Sequence, residues 1–233
     1  MAAQLYLIPT VLLEGMVEPI PAYLLDAIKS CNVFFVENER TTRRYFKMLW
    51  KEMAIDEYEW FTIHKAEEAV KQSFVAQLKA GKKIGIVSEA GCPGIADPGQ
   101  ILVHVAQQMQ VIVKPLVGPN SIILALMASG MNGQHFSFVG YLPVDNADRK
   151  KMIRELENES ARKRSTQIFI ETPYRNNQIL EEIIKTCLPQ TQLCVAVDIT
   201  GKTEMIVTKT IADWKKTPIN LHKRPAIFLL QAG

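Results

Sequence analysis

The segment with the clearest capacity for chemistry is a glycine-rich loop at positions 88–99, which reads SEAGCPGIADPG. Small residues let a ligand approach the backbone, whose N–H and C=O groups can then contact it directly. The loop follows an apolar run typical of a buried strand, and ligands bind at such strand ends in open α/β sheets. It matches neither the G-x-G-x-x-G fingerprint nor a Walker A loop, which argues against a nicotinamide dehydrogenase or an NTPase. A tight structural connection, with Asp97 and Pro98 starting the next helix, is the alternative interpretation, and composition alone gives the two about equal weight.

Two later turns carry polar residues that have two interpretations each. In the turn at 118–121 (GPNS), Asn120 or Ser121 could cap the following helix, or could face a polar ligand. After the strand pattern that ends at 170, Glu171 and Arg175 could form a surface ion pair of little energetic value. They could instead flank a binding cleft, where the arginine would hold phosphate. The local pattern alone favours the structural interpretation in both turns.

Weaker signals come from one acidic segment, one histidine and several basic clusters. The acidic segment at 37–40 (ENER) also lies just past a strand pattern. His64 stands alone, and a lone histidine is more often structural than catalytic. Basic clusters are more often solvated helix faces than RNA-binding sites, although each could contact phosphate beside a cleft. These clusters lie at 43–44, 149–151 and 162–164.

Composition excludes several classes of protein. The chain has 233 residues, of which 48% are hydrophobic and 22% are charged, so a packed globular protein is expected rather than a disordered one. A net charge of +3 permits an anionic partner without requiring one. The four cysteines form no C-x-x-C pair, so neither a metal site nor a disulfide framework is expected. No signal peptide and no apolar run of membrane-spanning length is apparent, which predicts a cytoplasmic protein without a membrane partner.

The elements that must position these residues alternate along the first half of the chain. Short apolar runs indicate strands covered on both faces, as in a parallel sheet, and the segments between them have helical periodicity. This alternation predicts an α/β domain. The predicted strands are 5–8, 33–36, 84–87 and 111–113, and the predicted helices are 21–30, 43–50, 66–80 and 98–108.

The second half has a different rhythm, in which several strands lie close together. This spacing predicts hairpins and a mixed sheet, and a strand followed by a turn near 116–119 predicts the domain boundary. We therefore expect an N-terminal α/β domain at 1–116 and a C-terminal α/β domain with a mixed sheet at 117–233. The predicted strands are 136–139, 167–170, 193–197, 205–210 and 226–230, and the predicted helices are 120–129, 145–161 (charged and exposed) and 176–186.

Taken in order, these segments resemble the tetrapyrrole (corrin/porphyrin) methylase family over about residues 5–232. The closest branch methylates a cytidine ribose 2′-hydroxyl in small-subunit ribosomal RNA. The family's E-D-T-R motif corresponds to ENER at 37–40, and its S-D-A-G-T-P-x-I-x-D-P-G loop corresponds to 88–99, with Glu89 and Cys92 substituted. Its G-P and G-[FY]-L-P motifs are met at 118–119 and 140–143, and its E-S-x-x-R motif is met by Glu171 and Arg175. Its R-E-L-T-K-x-x-E segment is met only in part, by Asp198, Thr200 and Glu204, with Val197 where arginine is usual. Its I-G-N loop is replaced by VLLEG at 11–15.

The resemblance implies two α/β domains with S-adenosylmethionine in a cleft between them, and a homodimer. Much of the cofactor contact is expected to use backbone groups, which explains how a cysteine could replace the family's threonine in the loop. The cofactor-binding residues that it implies are Ala90, Gly91, Cys92, Pro93, Ile95, Asn120, Ser121, Phe169, Pro225 and Ala226.

The resemblance also implies a reaction, methyl transfer to ribosomal RNA of the small subunit. A ribose hydroxyl is a poor nucleophile, so a nearby group must accept its proton during attack. Glu37, His64, Glu171 and Glu204 are the candidates for this role, and the sequence does not choose among them. Arg40 and Arg175 are expected to bind substrate phosphate. Two alternatives stay open, a methyltransferase for a tetrapyrrole or other small molecule, and a non-catalytic S-adenosylmethionine-binding regulator.

Overall fold

The computed structural model of the protein describes residues 3–63 and 68–233, so the predicted catalytic residue His64 lies outside the described residues. Contacts divide the chain into an N-terminal unit, residues 1–120, and a C-terminal unit, residues 121–233. Each unit contains both helices and a sheet, as the α/β interpretation predicts. No helix among the described residues has the length and apolar character needed to span a bilayer.

The N-terminal unit is built on a parallel sheet with the strand order β3-β2-β4-β1-β5. Every pair of neighbouring strands in this sheet is parallel, so the carboxyl ends of its strands lie along one edge. This edge carries the connections in which ligand-binding residues were predicted. The strands are β1 (Gln4–Ile8), β2 (Val33–Val36), β3 (Glu59–Thr62), β4 (Lys83–Val87) and β5 (Ile112–Pro115), and the helices are α1 (Leu24–Ser30), α2 (Glu39–Leu49), α3 (Glu68–Lys79) and α4 (Gln100–Gln108).

Helices cover both faces of this sheet, which explains why its strands are so apolar. Successive residues of β2 point to opposite faces: Phe34 packs in one hydrophobic cluster with Phe46 of α2, and Phe35 packs in another with Phe74 of α3. The rings of Phe35 and Phe74 meet edge to face, with centroids 5.1 Å apart. A strand that is buried on both faces cannot alternate polar and apolar residues, and this confirms the parallel-sheet prediction.

The C-terminal unit has a mixed sheet, as predicted, and its strand order is β6-β7-β10-β8-β9. Strands β6 and β7 are parallel, whereas β10 is antiparallel to both β7 and β8, and β8 forms an antiparallel pair with β9. The start of β10 therefore lies beside the ends of β7 and β8. The strands are β6 (Phe136–Tyr141), β7 (Thr166–Ile170), β8 (Gln192–Val197), β9 (Met205–Thr210) and β10 (Ala226–Gln231), and the helices are α5 (Ser121–Ser129), α6 (Asn146–Lys163), α7 (Asn176–Thr186) and α8 (Ile211–Trp214).

Several local expectations were wrong. The α4 helix begins at Gln100 with Gly99 as its N-cap residue, so Asp97 and Pro98 do not start it. The α2 helix begins four residues earlier than predicted, because the Asn38 side chain accepts hydrogen bonds from the backbone of its first turn. Helix α6 is not wholly exposed: Arg149 is only 1% exposed, since it forms an ion pair with Glu182 of α7. Strand β3 and helix α8 were not predicted.

Candidate active site

The loop at 88–99 leaves the end of β4 and is fixed against the end of β1. The Thr10 N–H donates to the Gly91 carbonyl at 2.8 Å, and the Thr10 hydroxyl donates to the Ser88 carbonyl at 3.3 Å. The buried Ser88 hydroxyl lies 3.4 Å from the carbonyl oxygens of Ala90 and Gly91. Gly91 has a φ of +72°, in the left-handed region that favours glycine. The loop therefore has a fixed backbone conformation at the ligand-binding edge of the sheet.

The loop residues that were predicted to contact a cofactor differ in what they expose. Ala90 and Ile95 are exposed, Cys92 is half-buried, and Gly91 and Pro93 are buried. Ile95 is 49% exposed. Its exposed surface offers an apolar contact for a ligand, while the buried members can contribute only backbone groups.

The turn at 118–120 packs directly against this loop. The Cys92 sulfur lies 3.5 Å from the Pro119 carbonyl oxygen, and a hydrogen bond joins Cys92 to the Asn120 side chain. Burial raises the pKa of the Cys92 thiol more than the bond to Asn120 lowers it. At Gly118 a Cβ atom would lie 2.3 Å from the Pro9 ring, so only glycine fits there. The structure thus brings Asn120 to the predicted cofactor loop.

Three carboxyl groups form an acidic cluster beside the loop: Glu37, Glu89 and Asp97. The Glu89 N–H donates to Glu37 Oε2 at 2.9 Å, and the Thr41 hydroxyl donates to Glu89 Oε1 at 3.3 Å. Burial raises the pKa of Glu37, and the charge of Glu89 adds to this effect, although the Glu89 N–H partly opposes it. Burial, followed by the charges of Glu37 and Glu89, raises the pKa of Asp97 to about 7. A nearby positive charge would offset this repulsion and favour the ionised carboxylates.

A pocket of about 120 Å³ opens in the N-terminal unit between the β1–α1 connection, α2 and the start of the 88–99 loop. Arg44 and Glu14 form an ion pair in its wall, and the Tyr45 hydroxyl donates to the Pro9 carbonyl at 3.0 Å. The wall combines apolar side chains with hydroxyl and charged groups, a mixture common in small-molecule sites. It is lined by Thr10, Val11, Leu12, Glu14, Thr41, Thr42, Arg44, Tyr45, Met48, Ser88 and Glu89.

Arg40 lies in the first turn of α2, three residues after Glu37 of the acidic cluster. The Asn38 side chain caps this helix by accepting from the Arg40 N–H at 3.1 Å. The Arg40 side chain is exposed, and it forms no ion pair with any residue in the described ranges 3–63 and 68–233. Its guanidinium is therefore available to an anionic ligand.

In the C-terminal unit, Glu171 and Arg175 form an ion pair just past the end of β7. Their atoms Oε2 and NH2 are 2.5 Å apart, and Glu171 Oε1 also accepts from the Thr172 N–H at 2.7 Å. Glu171 is buried, so this is not the surface pair that the sequence suggested. Both carboxylate oxygens already accept hydrogen bonds, which leaves Glu171 poorly suited to accept a substrate proton.

Glu204 lies in the tight turn between β8 and β9. Its Oε2 atom accepts from the Thr200 N–H at 2.7 Å, and the turn holds both Asp198 and Thr200 at positive φ, +49° and +70°. Asp198 pairs with Arg224 at 2.8 Å, and its N–H donates to the Pro225 carbonyl at 3.0 Å. These bonds place the candidate residues Glu204 and Pro225 in one network at the edge of the sheet.

The remaining candidates of the C-terminal unit can contribute little side-chain contact. The ring of Phe169 is fully buried and stacks against Phe228 with centroids 5.7 Å apart. Ala226 is buried at the start of β10, and Ser121 is the first residue of α5. If Phe169 or Ala226 contacts a ligand, the contact must come from the backbone.

Sequence reasoning missed two charged residues of these sites, Asp97 and Arg224, and noted Arg44 only as part of the basic cluster at 43–44. Asp97 was interpreted only as a helix start, although it lies inside the loop that was predicted to bind a ligand. Arg44 lies one helical turn after Arg40, and that spacing could have indicated a shared face of α2. Arg224 directly precedes Pro225, but nothing local indicates its partner, which lies 26 residues earlier in the chain. No group of three or more His, Cys, Asp or Glu residues with metal-binding geometry occurs in the described part of the chain.

Comparisons with known proteins agree with these features. The profile of the tetrapyrrole (corrin/porphyrin) methylases matches residues 15–214. A Vibrio cholerae protein called ribosomal RNA small subunit methyltransferase I is 32% identical over 90% of this chain and 69% of its own length. A Bacillus subtilis protein of the same name is 30% identical over 90% of this chain and 68% of its own length.

Solved structures share the fold at low sequence identity. The uroporphyrin-III C-methyltransferase of Thermus thermophilus, in complex with S-adenosylhomocysteine, has a TM-score of 0.57 and 15% identity, covering 98% of this chain and 97% of its own. The methyltransferase CobJ has a TM-score of 0.65 and 14% identity, covering 100% and 94%. From the profile match and the curated relatives, the chain belongs to the tetrapyrrole (corrin/porphyrin) methylase family and is an S-adenosylmethionine-dependent methyltransferase.

Proposed function

We propose that this protein methylates a ribose 2′-hydroxyl of small-subunit ribosomal RNA. The observation that carries the proposal is its identity of 32% and 30%, over 90% of the chain, to two proteins called ribosomal RNA small subunit methyltransferase I. The exposed guanidinium of Arg40 supports an anionic substrate, because phosphate binding needs a cation that is not already paired.

The N-terminal unit has the chemical groups that S-adenosylmethionine would need. When it is bound, the cofactor supplies a methyl group activated by a positively charged sulfonium. Burial, with a further contribution from mutual repulsion, raises the pKa values of Glu37 and Asp97, so a positive charge beside this acidic cluster would favour the ionised carboxylates and would itself be attracted. We propose that the loop contributes contacts through the backbone and exposed side chains of Ala90, Gly91, Cys92, Pro93 and Ile95, with Asn120 beside them.

We propose a smaller set of cofactor contacts in the C-terminal unit. These are backbone groups at Ser121, near Phe169 at the end of β7, and at Pro225 and Ala226. The burial of Phe169 and Ala226 supports this assignment, since their side chains cannot reach a bound molecule. The Pro225 carbonyl already accepts a hydrogen bond from Asp198, so the peptide groups around it, rather than that carbonyl, are the candidates.

Among the three candidate carboxylates in the described residues, we propose Glu37 as the proton acceptor. Burial and Glu89 raise its pKa, which brings its basicity closer to that of a group able to accept a proton near neutral pH. Its Oε2 atom accepts from the Glu89 N–H, and Oε1 accepts no hydrogen bond from the described residues. Glu171, by contrast, uses both oxygens in its bonds to Thr172 and Arg175.

The two candidate phosphate-binding arginines, Arg40 and Arg175, differ in whether they already have a charged partner. Arg40 is exposed and unpaired within the described residues, whereas Arg175 is held by Glu171 at 2.5 Å. We propose that Arg40 contacts the phosphate backbone of the RNA directly. Arg175 contributes mainly by holding the loop after β7, with its remaining N–H groups available to substrate.

The deciding experiment measures transfer of labelled methyl from S-adenosylmethionine to small ribosomal subunits purified from cells that lack this protein. Label in RNA, mapped to a ribose, is the expected result. Label in a tetrapyrrole instead, or cofactor binding without transfer to either acceptor, would overturn the RNA assignment. The second outcome would favour a non-catalytic regulator.

The role of Glu37 is tested separately with Glu37→Gln, which keeps the shape of the side chain and removes its basicity. Loss of a general base lowers kcat by about 100-fold or more. Glu52→Gln is the matched control, because Glu52 is an exposed glutamate just beyond the end of α2, the helix that Glu37 precedes. Equal kcat in the two variants would rule out Glu37 as the proton acceptor.

We further propose that the protein is a cytoplasmic homodimer. Large apolar side chains are exposed on the C-terminal unit, including Met127 at 75% and Val144 at 77%. We propose that these side chains lie in the interface between the two copies, since contiguous apolar surfaces on soluble proteins often mark such interfaces. Light scattering of the purified protein, compared with Met127→Asp, is the test. A wild-type monomer would contradict the dimer.

A further inference from the structure

An exposed aromatic side chain, Tyr174, lies at the edge of the C-terminal sheet where β7 ends. It is 70% exposed, although it belongs to a short loop whose first residue, Glu171, is buried. Two side chains from the loop before β10 lie beside its ring. The Lys223 ammonium is 5.9 Å from the ring centroid, and the His222 ring is 6.0 Å away at 74° to it. Both neighbours are also exposed.

Hydrogen bonds hold the two loops of this patch together. The Lys223 N–H donates to the Pro173 carbonyl at 3.0 Å, and Asn176 Nδ2 donates to the Arg224 carbonyl at 2.6 Å. Asn177 Oδ1 accepts from the Leu221 N–H at 2.6 Å. Lys223 has a φ of +61°, a conformation that non-glycine residues seldom adopt unless neighbouring contacts enforce it. These contacts fix the backbone of the two loops, so the Cα atoms of Tyr174 and Lys223 are held side by side and less backbone ordering is needed when a ligand binds.

The cations around this patch differ in their availability. Arg175 is paired with Glu171, and Arg224 is paired with Asp198. Lys223 forms no ion pair with any residue that the structure describes, so its charge faces solvent beside Tyr174. An exposed aromatic ring next to an unpaired cation matches a nucleotide, whose base stacks on the ring while its phosphate meets the cation.

We propose that Tyr174, His222 and Lys223 form a binding site for single-stranded RNA, in which an unpaired base stacks on Tyr174 and Lys223 binds an adjacent phosphate. The inference rests on the proposed RNA substrate and adds a second contact region to it. Duplex RNA fits the patch less well, because paired and stacked bases cannot offer a face to Tyr174.

The test measures binding of a short fluorescein-labelled oligoribonucleotide of mixed sequence, single-stranded or annealed to its complement, by fluorescence anisotropy. Because one base stacked on an aromatic ring contributes about 1–3 kcal/mol, Tyr174→Ala should raise the Kd for the single strand about 5- to 150-fold. Tyr174→Trp should keep the wild-type Kd within about threefold, since it keeps a stacking surface. Lys223→Gln should lower the slope of log Kd against log salt by about 0.7, the value for one phosphate contact on a single strand.

Matched controls are Leu188→Ala and Lys185→Ala. Both side chains are exposed on the same unit, Lys185 in the last turn of α7 and Leu188 in the connection to β8, and the start of β8 is at the opposite end of the strands from the patch. They remove an apolar surface and a charge without touching the patch, so their Kd and salt slope should equal those of the wild type. Unfolding midpoints of all variants exclude a folding defect as the cause.

The outcomes separate this inference from the proposed function. If the wild type methylates ribosomal RNA but Tyr174→Ala binds the single strand as tightly as Leu188→Ala, the patch is wrong and the function stands. If the wild type binds neither RNA, or prefers the duplex, the patch is also wrong. If Tyr174→Ala loses single-strand binding while methyl transfer to ribosomal RNA is absent, the patch stands and the proposed reaction fails.

Discussion

Asp97→Asn tests whether the acidic cluster attracts the positive charge of the cofactor. Burial and the charges of Glu37 and Glu89 raise the pKa of Asp97 to about 7. A group with that pKa is about nine-tenths ionised at pH 8 and about one-tenth ionised at pH 6. If ionisation of Asp97 strengthens the binding of S-adenosylmethionine about 5- to 30-fold, the affinity of the wild type should fall about three- to eightfold over this range.

The magnitude at fixed pH follows from Coulomb's law. Unit charges about 8 Å apart attract by about 1–2 kcal/mol at an effective dielectric constant of about 20–40, which is about 5- to 30-fold in Kd. Asp97→Asn should weaken S-adenosylmethionine by this factor at pH 8 and flatten the pH dependence. S-adenosylhomocysteine lacks the sulfonium charge and should lose less. Isothermal titration calorimetry gives these values, with Asp26→Asn, on the exposed face of α1, as the control.

Asp97→Asn should stabilise the fold while it weakens cofactor binding. This combination distinguishes a lost electrostatic attraction from a folding defect, which would lower both. The folded state raises the pKa of Asp97 above its unfolded value, so ionisation opposes folding, fully above the folded pKa of about 7. Asp97→Asn should therefore unfold at a higher temperature than the wild type at pH 8, and the difference should shrink as the pH falls below 7. Wild-type affinity that stays constant from about pH 6 to 8, or equal losses for both cofactor forms, would refute the reasoning.

Other substitutions test the packing around the sites. Gly118→Ala places a Cβ atom 2.3 Å from the Pro9 ring, so it should lower the free energy of unfolding by about 2 kcal/mol and weaken cofactor binding. Gly133→Ala is the control, because its Cβ atom would meet no atom within 4 Å, and it should change neither quantity. Urea titration measures the stability, and calorimetry measures the cofactor affinity. Glu182→Ala leaves the buried Arg149 without its carboxylate partner and should lower the free energy of unfolding, measured in urea, by about 3 kcal/mol. Replacing both partners, with Arg149→Met and Glu182→Leu together, should recover most of this loss. Iodoacetamide should label the half-buried Cys92 before the three buried cysteines, and bound S-adenosylmethionine should slow the labelling of Cys92. Mass spectrometry follows the labelling of each cysteine, and faster labelling of Cys31 than of Cys92 would contradict the burial order.

The sequence predicted the elements of the fold well where burial is strong. Strands such as Val33–Val36 are apolar throughout because helices cover both faces of the sheet, and such runs stand out in the sequence. Strand β3, Glu59–Thr62, was missed; it lies at the sheet edge and none of its residues is fully buried. Burial is not the only signal, however, because the edge strands β5 and β9 also contain no buried residue and were predicted from their β-branched residues.

The candidate site was predictable only where residues are close together in the chain. The loop at 88–99 was identified from its small residues, and the structure places Asn120 beside it through Cys92. The repulsion among Glu37, Glu89 and Asp97 was not predictable, since it arises when β2 and β4 become neighbours in the sheet. Likewise, Arg149 looked like part of a solvated basic cluster, because nothing in α6 reveals that Glu182 will face it.

The two units bring distant residues together by different means. In the N-terminal unit all strands are parallel, so the loops at their carboxyl ends reach the same edge, and a site can be anticipated from the residues of those loops. In the C-terminal unit β10 runs against β7 and β8, so the residues before β10 join those after the other two strands. Arg224 reaches Asp198 and Lys223 reaches Tyr174 for this reason. Inspecting only the loops at the carboxyl ends of strands therefore overlooks the segment at 222–225, which supplies the partners of Asp198 and Tyr174.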